Sequence, residues 1–212
     1  MPCAPARLSL GMISRTNTSW LSDDINPIDS VQLAHGCTVE FTPEVCNHWM
    51  VGDKPGGAVD VSTPPGWWDF MFRVPMNGQY GVSSRVDQWS PELKDRAAQN
   101  VALYKTLRDV VADADVYHLT PPPNHDNPTG WMALQYITED RRRSVVMTYR
   151  LSKSAAEQFL KLRELQPKLI YSVKIDGVPS GKDSGAAWMA RGLPVRLDAE
   201  WRAAIVEFTV EP

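Results

Sequence analysis

From Ser90 to about Asp113 the apolar residues recur at three- and four-residue intervals. Leu93, Ala97, Val101, Tyr104, Leu107 and Val111 fall on one stripe, which predicts a helix with one buried face. Ser90 can cap it, Pro91 suits its first turn, and Glu92 complements the positive helix end. A second helix is expected over Pro27 to Gly36, where Ile28, Val31, Gln32 and Ala34 mix apolar and polar positions without a clean stripe. Thr63 to Arg85, rich in Pro, Gly and aromatics, reads as loops around short strands. Beyond residue 115 the grammar changes. WMALQYITED, SVVMTYRL, KLIYSVKIDG, GLPVRL and AAIVEFTVEP are short apolar runs bounded by Gly, Pro, Asp or charge, and they read as strands of an antiparallel sandwich. The link into them, Pro121 to Gly130, carries too many prolines for a helix. The expected layout is α/β over residues 1–115, then all-β over residues 116–212, with no internal repeat.

Composition narrows the classes. With 212 residues, of which 43% are hydrophobic, the chain can bury a core, and no run of about 18 apolar residues offers a membrane span. MPCAPARLSL lacks the basic-then-apolar order of a secretory leader, so a cytoplasmic location is expected. A net charge of -3 argues against a nucleic-acid partner. The one basic run, Arg141 to Arg143, sits between two strand-like segments and fits a solvated hairpin turn. Three cysteines, Cys3, Cys37 and Cys46, are too few for a disulfide scaffold, and reduced thiols are expected. The 8 tryptophans and 17 prolines fit long irregular loops and flat aromatic surfaces of the kind that suit sugars.

Several constellations compete for chemistry. His35, Cys37, Cys46 and His48 form H-x-C-x8-C-x-H. Each close pair is two residues apart, however, and would point to opposite sides of an extended chain, unlike a zinc knuckle. GDKPGG at Gly52 to Gly57 lacks the preceding strand and following Lys-Ser/Thr of a phosphate loop, and reads as a turn. No metal or cofactor is called for. In TSWLSDDINP, from Thr18 to Pro27, an acidic residue before a helix is first of all a cap. Asp23 is also a candidate acid catalyst, because Trp20 offers an apolar wall that can raise a carboxyl pKa and stack on a sugar ring. Asp24, next to it, would point the other way on an extended chain.

RLSLGMISRTNTSWLSDDINPIDSVQLAHG resembles glycoside hydrolase family 36, the α-galactosidase group that also contains raffinose and stachyose synthases. The family carries an Arg-x-Asp-x-Gly-x-Leu run, then Trp-Thr-Ser-Asp-Asn-Thr-Asp and an Ile-Gln-Tyr-Gly segment. FTPEVCNHWM is similar to its Pro-rich stretch ending in histidine, and YGVSSRVDQWSPELKDRAAQNVALYKTLRDVV to its last barrel strand and helix. LKLRELQPKLIYSV and SGAAWMARGLPVRL resemble its C-terminal antiparallel domain. The resemblance implies that residues 1–115 are the last units of a (β/α)8 barrel and that residues 116–212 are a β-sandwich. Asp23 is then the general acid/base, Trp20 a substrate contact, and Asp24 stands where the family has Asn.

The family's nucleophile lies in a Lys-Trp-Asp type motif with no counterpart here; VKIDG at Val173 to Gly177 only mimics it. The family's Cys-Ser-Gly-rich loop, aligned on Arg7, is rewritten, which leaves Arg7 and Cys3 as sugar contacts with less of the motif behind them. The implied activity is that of a retaining α-galactosidase, with the chain a C-terminal fragment that is inactive alone. The implied partners are a galactoside or oligosaccharide, and either further copies of the chain or a companion that supplies the rest of the barrel. Two alternatives remain open: galactosyl transfer to a sugar acceptor, and a non-catalytic carbohydrate-binding accessory chain.

Overall fold

A computed structural model of the chain describes residue 11 and residues 14–22, 27–50, 65–124 and 128–211. It divides into two units, Met1–Ala112 and Asp113–Pro212.

In the first unit, strands β1 (Ser19–Trp20), β2 (Cys46–Met50) and β3 (Gln79–Val82) lie side by side in that order, and both pairings are parallel. Helices α1 (Pro27–Glu40) and α2 (Pro65–Arg73) stand between consecutive strands, and α3 (Pro91–Ala112) follows β3. Parallel neighbours need such crossovers, because a tight turn cannot return the chain to the same end of the sheet. Met50 packs with Met71 and Phe72 of α2 and with Trp89 and Leu93 at the start of α3. Leu21 packs with Cys37 of α1 and Cys46 of β2.

α3 follows its sequence pattern. Leu93, Leu107 and Val111 are buried, while Ala97, Val101 and Tyr104 are half-buried on the same side. Ser90 caps it: its hydroxyl oxygen accepts the Leu93 N–H at 3.2 Å, and Glu92 is held below the usual carboxylate range by backbone and Ser90 hydrogen bonds. Replacing Ser90 with Ala leaves that N–H without its partner, and should lower the urea-derived stability of the unit by about 1 kcal/mol with the m-value unchanged. The stripe also contains Asn100, a buried polar residue the periodicity does not reveal. Its amide donates to Asp69 at 3.0 Å and its oxygen accepts from Arg73 at 3.3 Å, while Arg96 pairs with Asp69 at 3.2 Å, so α2 and α3 are joined by satisfied polar groups.

Three expectations for this unit need correction. The segment read as loops around short strands contains α2, continued by a 3₁₀ turn over Val74–Asn77, and among its described residues only Gln79–Val82 form a strand. Phe70, Met71 and Phe72 are all buried, so the aromatics make a helix core rather than a loop surface, and Pro75 accompanies the change of winding. α1 continues past Gly36 to Glu40. Its buried side consists of Ser30, Val31, Ala34, His35, Cys37 and Thr38, largely small or polar residues, and that is why hydrophobic periodicity was weak there. Lastly, Cys37 and Cys46 are not reduced thiols but a disulfide joining α1 to β2 across a separation of 9 residues.

The second unit is antiparallel. Its larger sheet has six strands in the order β4 (Asp115–His118), β5 (Trp131–Ile137), β6 (Arg143–Arg150), β11 (Arg202–Val210), β8 (Ile170–Ile175), β9 (Val178–Ser184). A second sheet pairs β7 (Glu157–Leu160) with β10 (Leu193–Arg196), and a short helix α4 (Gly185–Arg191) precedes β10. Leu160, Leu193 and Val195 of the small sheet share a core with Val146, Val206 and Phe208 of the large one, which makes an unequal two-layer arrangement. All seven residues of β5 are buried, so both of its faces are covered and its apolar run is nearly continuous. The Arg141–Arg143 run is a hairpin turn as expected. It is more than solvated, since Arg141 pairs with Asp115 at 2.8 Å and its carbonyl accepts from the Tyr171 hydroxyl at 2.5 Å.

Candidate functional site

In open and closed α/β sheets alike, ligands gather where parallel strands end, because the loops leaving those ends converge there. The first unit supplies three such ends, at Trp20, Met50 and Val82. Strand alternation sorts the side chains. Cys46, His48 and Met50 are buried toward the helices, and Tyr80, in register with His48, lies 4.9 Å from Tyr104 of α3. Trp20, Asn47 and Gln79 share one cross-strand row of the opposite face, and Trp49 and Gly81 share another. Trp20 is half-buried, and its ring meets Trp49 edge to face with centroids 4.2 Å apart. Asp23 follows Trp20 by three positions in the sequence. Asp23, Asp24, Arg7 and Cys3 lie outside the described residues, as does the Gly52 to Gly57 turn.

The metal reading of the first unit loses its ligands. Cys37 and Cys46 are consumed in the disulfide, and no three His, Cys, Asp or Glu side chains come together as a metal cluster among the described residues. His48 has 1% of its surface exposed, and neither ring nitrogen finds a hydrogen-bond partner. Desolvation lowers its pKa to about 3, so it is a neutral imidazole at physiological pH. Gly78 is what allows it in: a Cβ there would stand 2.9 Å from the His48 ring and 2.2 Å from the Cys46 carbonyl oxygen.

Other polar groups are occupied with structure. Asp69 is tied into the link between α2 and α3. Asp176, from the VKIDG segment, turns the chain between β8 and β9 with φ 50°, and accepts the Ile205 N–H at 2.9 Å. It is an exposed turn residue. A cavity of about 360 Å³ is lined by Glu44, Gly78, Gln79, Tyr104 and Arg108, next to the N-terminal ends of β2 and β3, with the Tyr104 hydroxyl donating to the Gly78 carbonyl at 2.8 Å. That is the opposite end of the strands from Trp20 and Trp49. Trp49 and Gly81 were missed in the sequence. The alternation in Cys46 to Met50 would have placed Trp49 with Trp20 once the parallel register was known.

Comparison with known proteins finds likenesses in both sequence and fold. The model described as the glycosyl hydrolase family 36 C-terminal domain matches residues 131–208, the heart of the antiparallel unit. In that stretch the chain resembles the C-terminal portion of glycoside hydrolase family 36. Among curated proteins, the probable α-galactosidase C of Aspergillus flavus is 22% identical over 205 residues, covering 94% of this chain and 25% of that protein. α-Galactosidase AgaA of Geobacillus stearothermophilus is 23% identical over 215 residues, covering 95% of this chain and 27% of that protein. The crystal structure of the Lactobacillus brevis α-galactosidase superposes with a TM-score of 0.78 at 19% identity, covering 97% of this chain and 28% of that one. The chain thus spans about a quarter of the length of the curated relatives it matches. At 19% identity the likeness to the Lactobacillus brevis structure is one of fold.

Proposed function

We propose that this chain provides the acid/base side of a retaining α-galactosidase site. Asp23 protonates the glycosidic oxygen as the bond to the anomeric carbon breaks, then takes a proton from the water that attacks the galactosyl intermediate. Trp20 walls the site, and the first unit forms the last β/α units of a (β/α)8 barrel. The observation that carries the reading is the placement of Trp20 at the C-terminal end of a parallel strand, the end at which α/β enzymes collect their reacting groups. The family resemblance supports it through the segment around Trp20 and Asp23.

Retention requires a second carboxylate to form the covalent intermediate, and the one segment of these 212 residues that mimics the nucleophile motif is the β8–β9 turn. The 212-residue chain by itself should therefore leave nitrophenyl α-galactoside unhydrolysed over the buffer blank. Supplying a polypeptide with the nucleophile should restore release of nitrophenol. Product analysis of the restored activity with sucrose present separates water from a sugar acceptor. Turnover by the isolated chain, abolished by Asp23→Asn, would show that the nucleophile assignment is wrong.

A further inference from the structure

Trp49 stands on a different face of the first unit from its buried aromatic core. The aromatic core residues of the same unit, Phe70 and Phe72, have 0% exposure, whereas Trp49 is half-buried on the face of β2 turned away from the helix cores. Its indole is nonetheless held from two sides. Across the pairing with β3 it lies over Gly81, where a Cβ would stand 2.4 Å from its Cδ1 and 2.6 Å from its Nε1. No residue with a side chain fits beneath the ring without moving it. On the other side it meets Trp20, with ring planes inclined at 75°. Two inclined indoles at the ends of adjacent parallel strands make a fixed aromatic corner, and Asn47, in register with Trp20, brings an amide to the same face.

We propose that Trp49 is a second sugar-contacting residue of this site, forming with Trp20 a corner that takes the apolar face of a hexopyranose ring. The inference rests on the reading of the Trp20 end as a glycoside site. Aromatic rings present a negative face to polarised C–H groups, and a pyranose with an axial 4-hydroxyl gathers its C–H bonds at positions 3, 4 and 5 on one side. That side is the one a flat indole can cover, while the hydroxyls on the rim are left for amides and water. Gly81 acts as a positioning residue. It touches no sugar but sets where the Trp49 ring lies.

The test is a titration of the 212-residue chain with methyl α-galactopyranoside and methyl α-glucopyranoside by saturation-transfer NMR. For the galactoside, saturation should enter H3, H4 and H5 most strongly. Trp49→Ala should weaken binding roughly 3- to 10-fold. Gly81→Ala should weaken it to a similar degree, since its methyl group displaces the indole without removing any aromatic atom. Trp49→Phe should stay within about threefold of the parent, because an aromatic face is kept. Parent-like affinity in both Trp49→Ala and Gly81→Ala overturns the proposal, and so does a folded parent that binds neither glycoside. Equal affinity for the two glycosides keeps the corner and removes the galactoside preference. The acid assignment is read separately through turnover, so either reading can fail while the other stands.

Discussion

Acidification from pH 6.5 to pH 4 should destabilise the first unit by about 3 kcal/mol through His48 alone. Burial lowers the folded-state pKa from the ordinary 6.5 to about 3, so between these values the unfolded chain binds a proton that the folded chain refuses. Stability from this group is complete above pH 6.5 and is lost progressively as the pH falls toward 3. Surface carboxylates held low by their partners, such as Asp140 and Glu211, also lose stabilisation in acid, but they do so whether or not His48 is present. The measurement is therefore a difference. Urea unfolding of the parent and of His48→Met at pH 7, 5.5 and 4, followed by tryptophan fluorescence and by hydrogen exchange on residues of β2, should show the parent falling more steeply by that amount. Methionine fills much of the space and titrates nothing, and it removes two ring nitrogens that have no partner. At pH 7 the variant should thus match the parent or exceed it. Parallel pH dependences for parent and variant would mean that the imidazole reaches water.

Asp23→Asn, in whatever assembly of this chain turns over a galactoside, should cost roughly 10²- to 10⁴-fold in kcat/KM for a substrate with a poor leaving group. An amide can neither give a proton to the departing oxygen nor take one from water. The loss should shrink for nitrophenyl galactosides, whose leaving group departs with little protonation. Turnover of those substrates should then be limited by hydrolysis of the intermediate, and azide, a nucleophile that needs no base, should restore it with formation of the galactosyl azide. The basic limb of the pH profile should vanish along with the acid. A uniform rise in KM with kcat unchanged would instead make Asp23 a binding residue and leave the acid to another group.

The legible parts of the fold were those where one rule decides. α3 carries its cap, its proline and its stripe together, and β5, β6, β8 and β11 are apolar runs between breakers. The illegible elements are those held by their neighbours. β9 reads VPSGKDS, mostly exposed and without alternation, and it is extended because β8 offers it a backbone partner. β7 has four residues and α4 seven, too few for a period to show, although Ser184 caps α4 by accepting the Ala187 N–H at 3.2 Å. α1 hid its buried face behind Ser30, His35 and Thr38.

The site divides in the same way. Trp20 and Asp23 stand close together in the sequence and resemble a family motif, so as candidates they can be named from one dimension. Trp49 and Gly81 are 32 residues apart and meet only through the β2–β3 register, while the isolation of His48 depends on which side of β2 faces the helices. A cysteine count likewise cannot show that Cys37, late in α1, comes to Cys46 at the start of β2.

The position of β11 sets an order of events in synthesis. This strand lies in the middle of the six-stranded sheet, between β6 and β8, although some 50 residues separate Arg150 from its partner Arg202. Until residues 202–210 have left the ribosome, β4 to β6 and the β8–β9 hairpin are two separate pieces, each with a bare edge where β11 will sit. The nascent unit must keep those edges from pairing with other chains, because its six-stranded sheet is continuous only once β11 is in place.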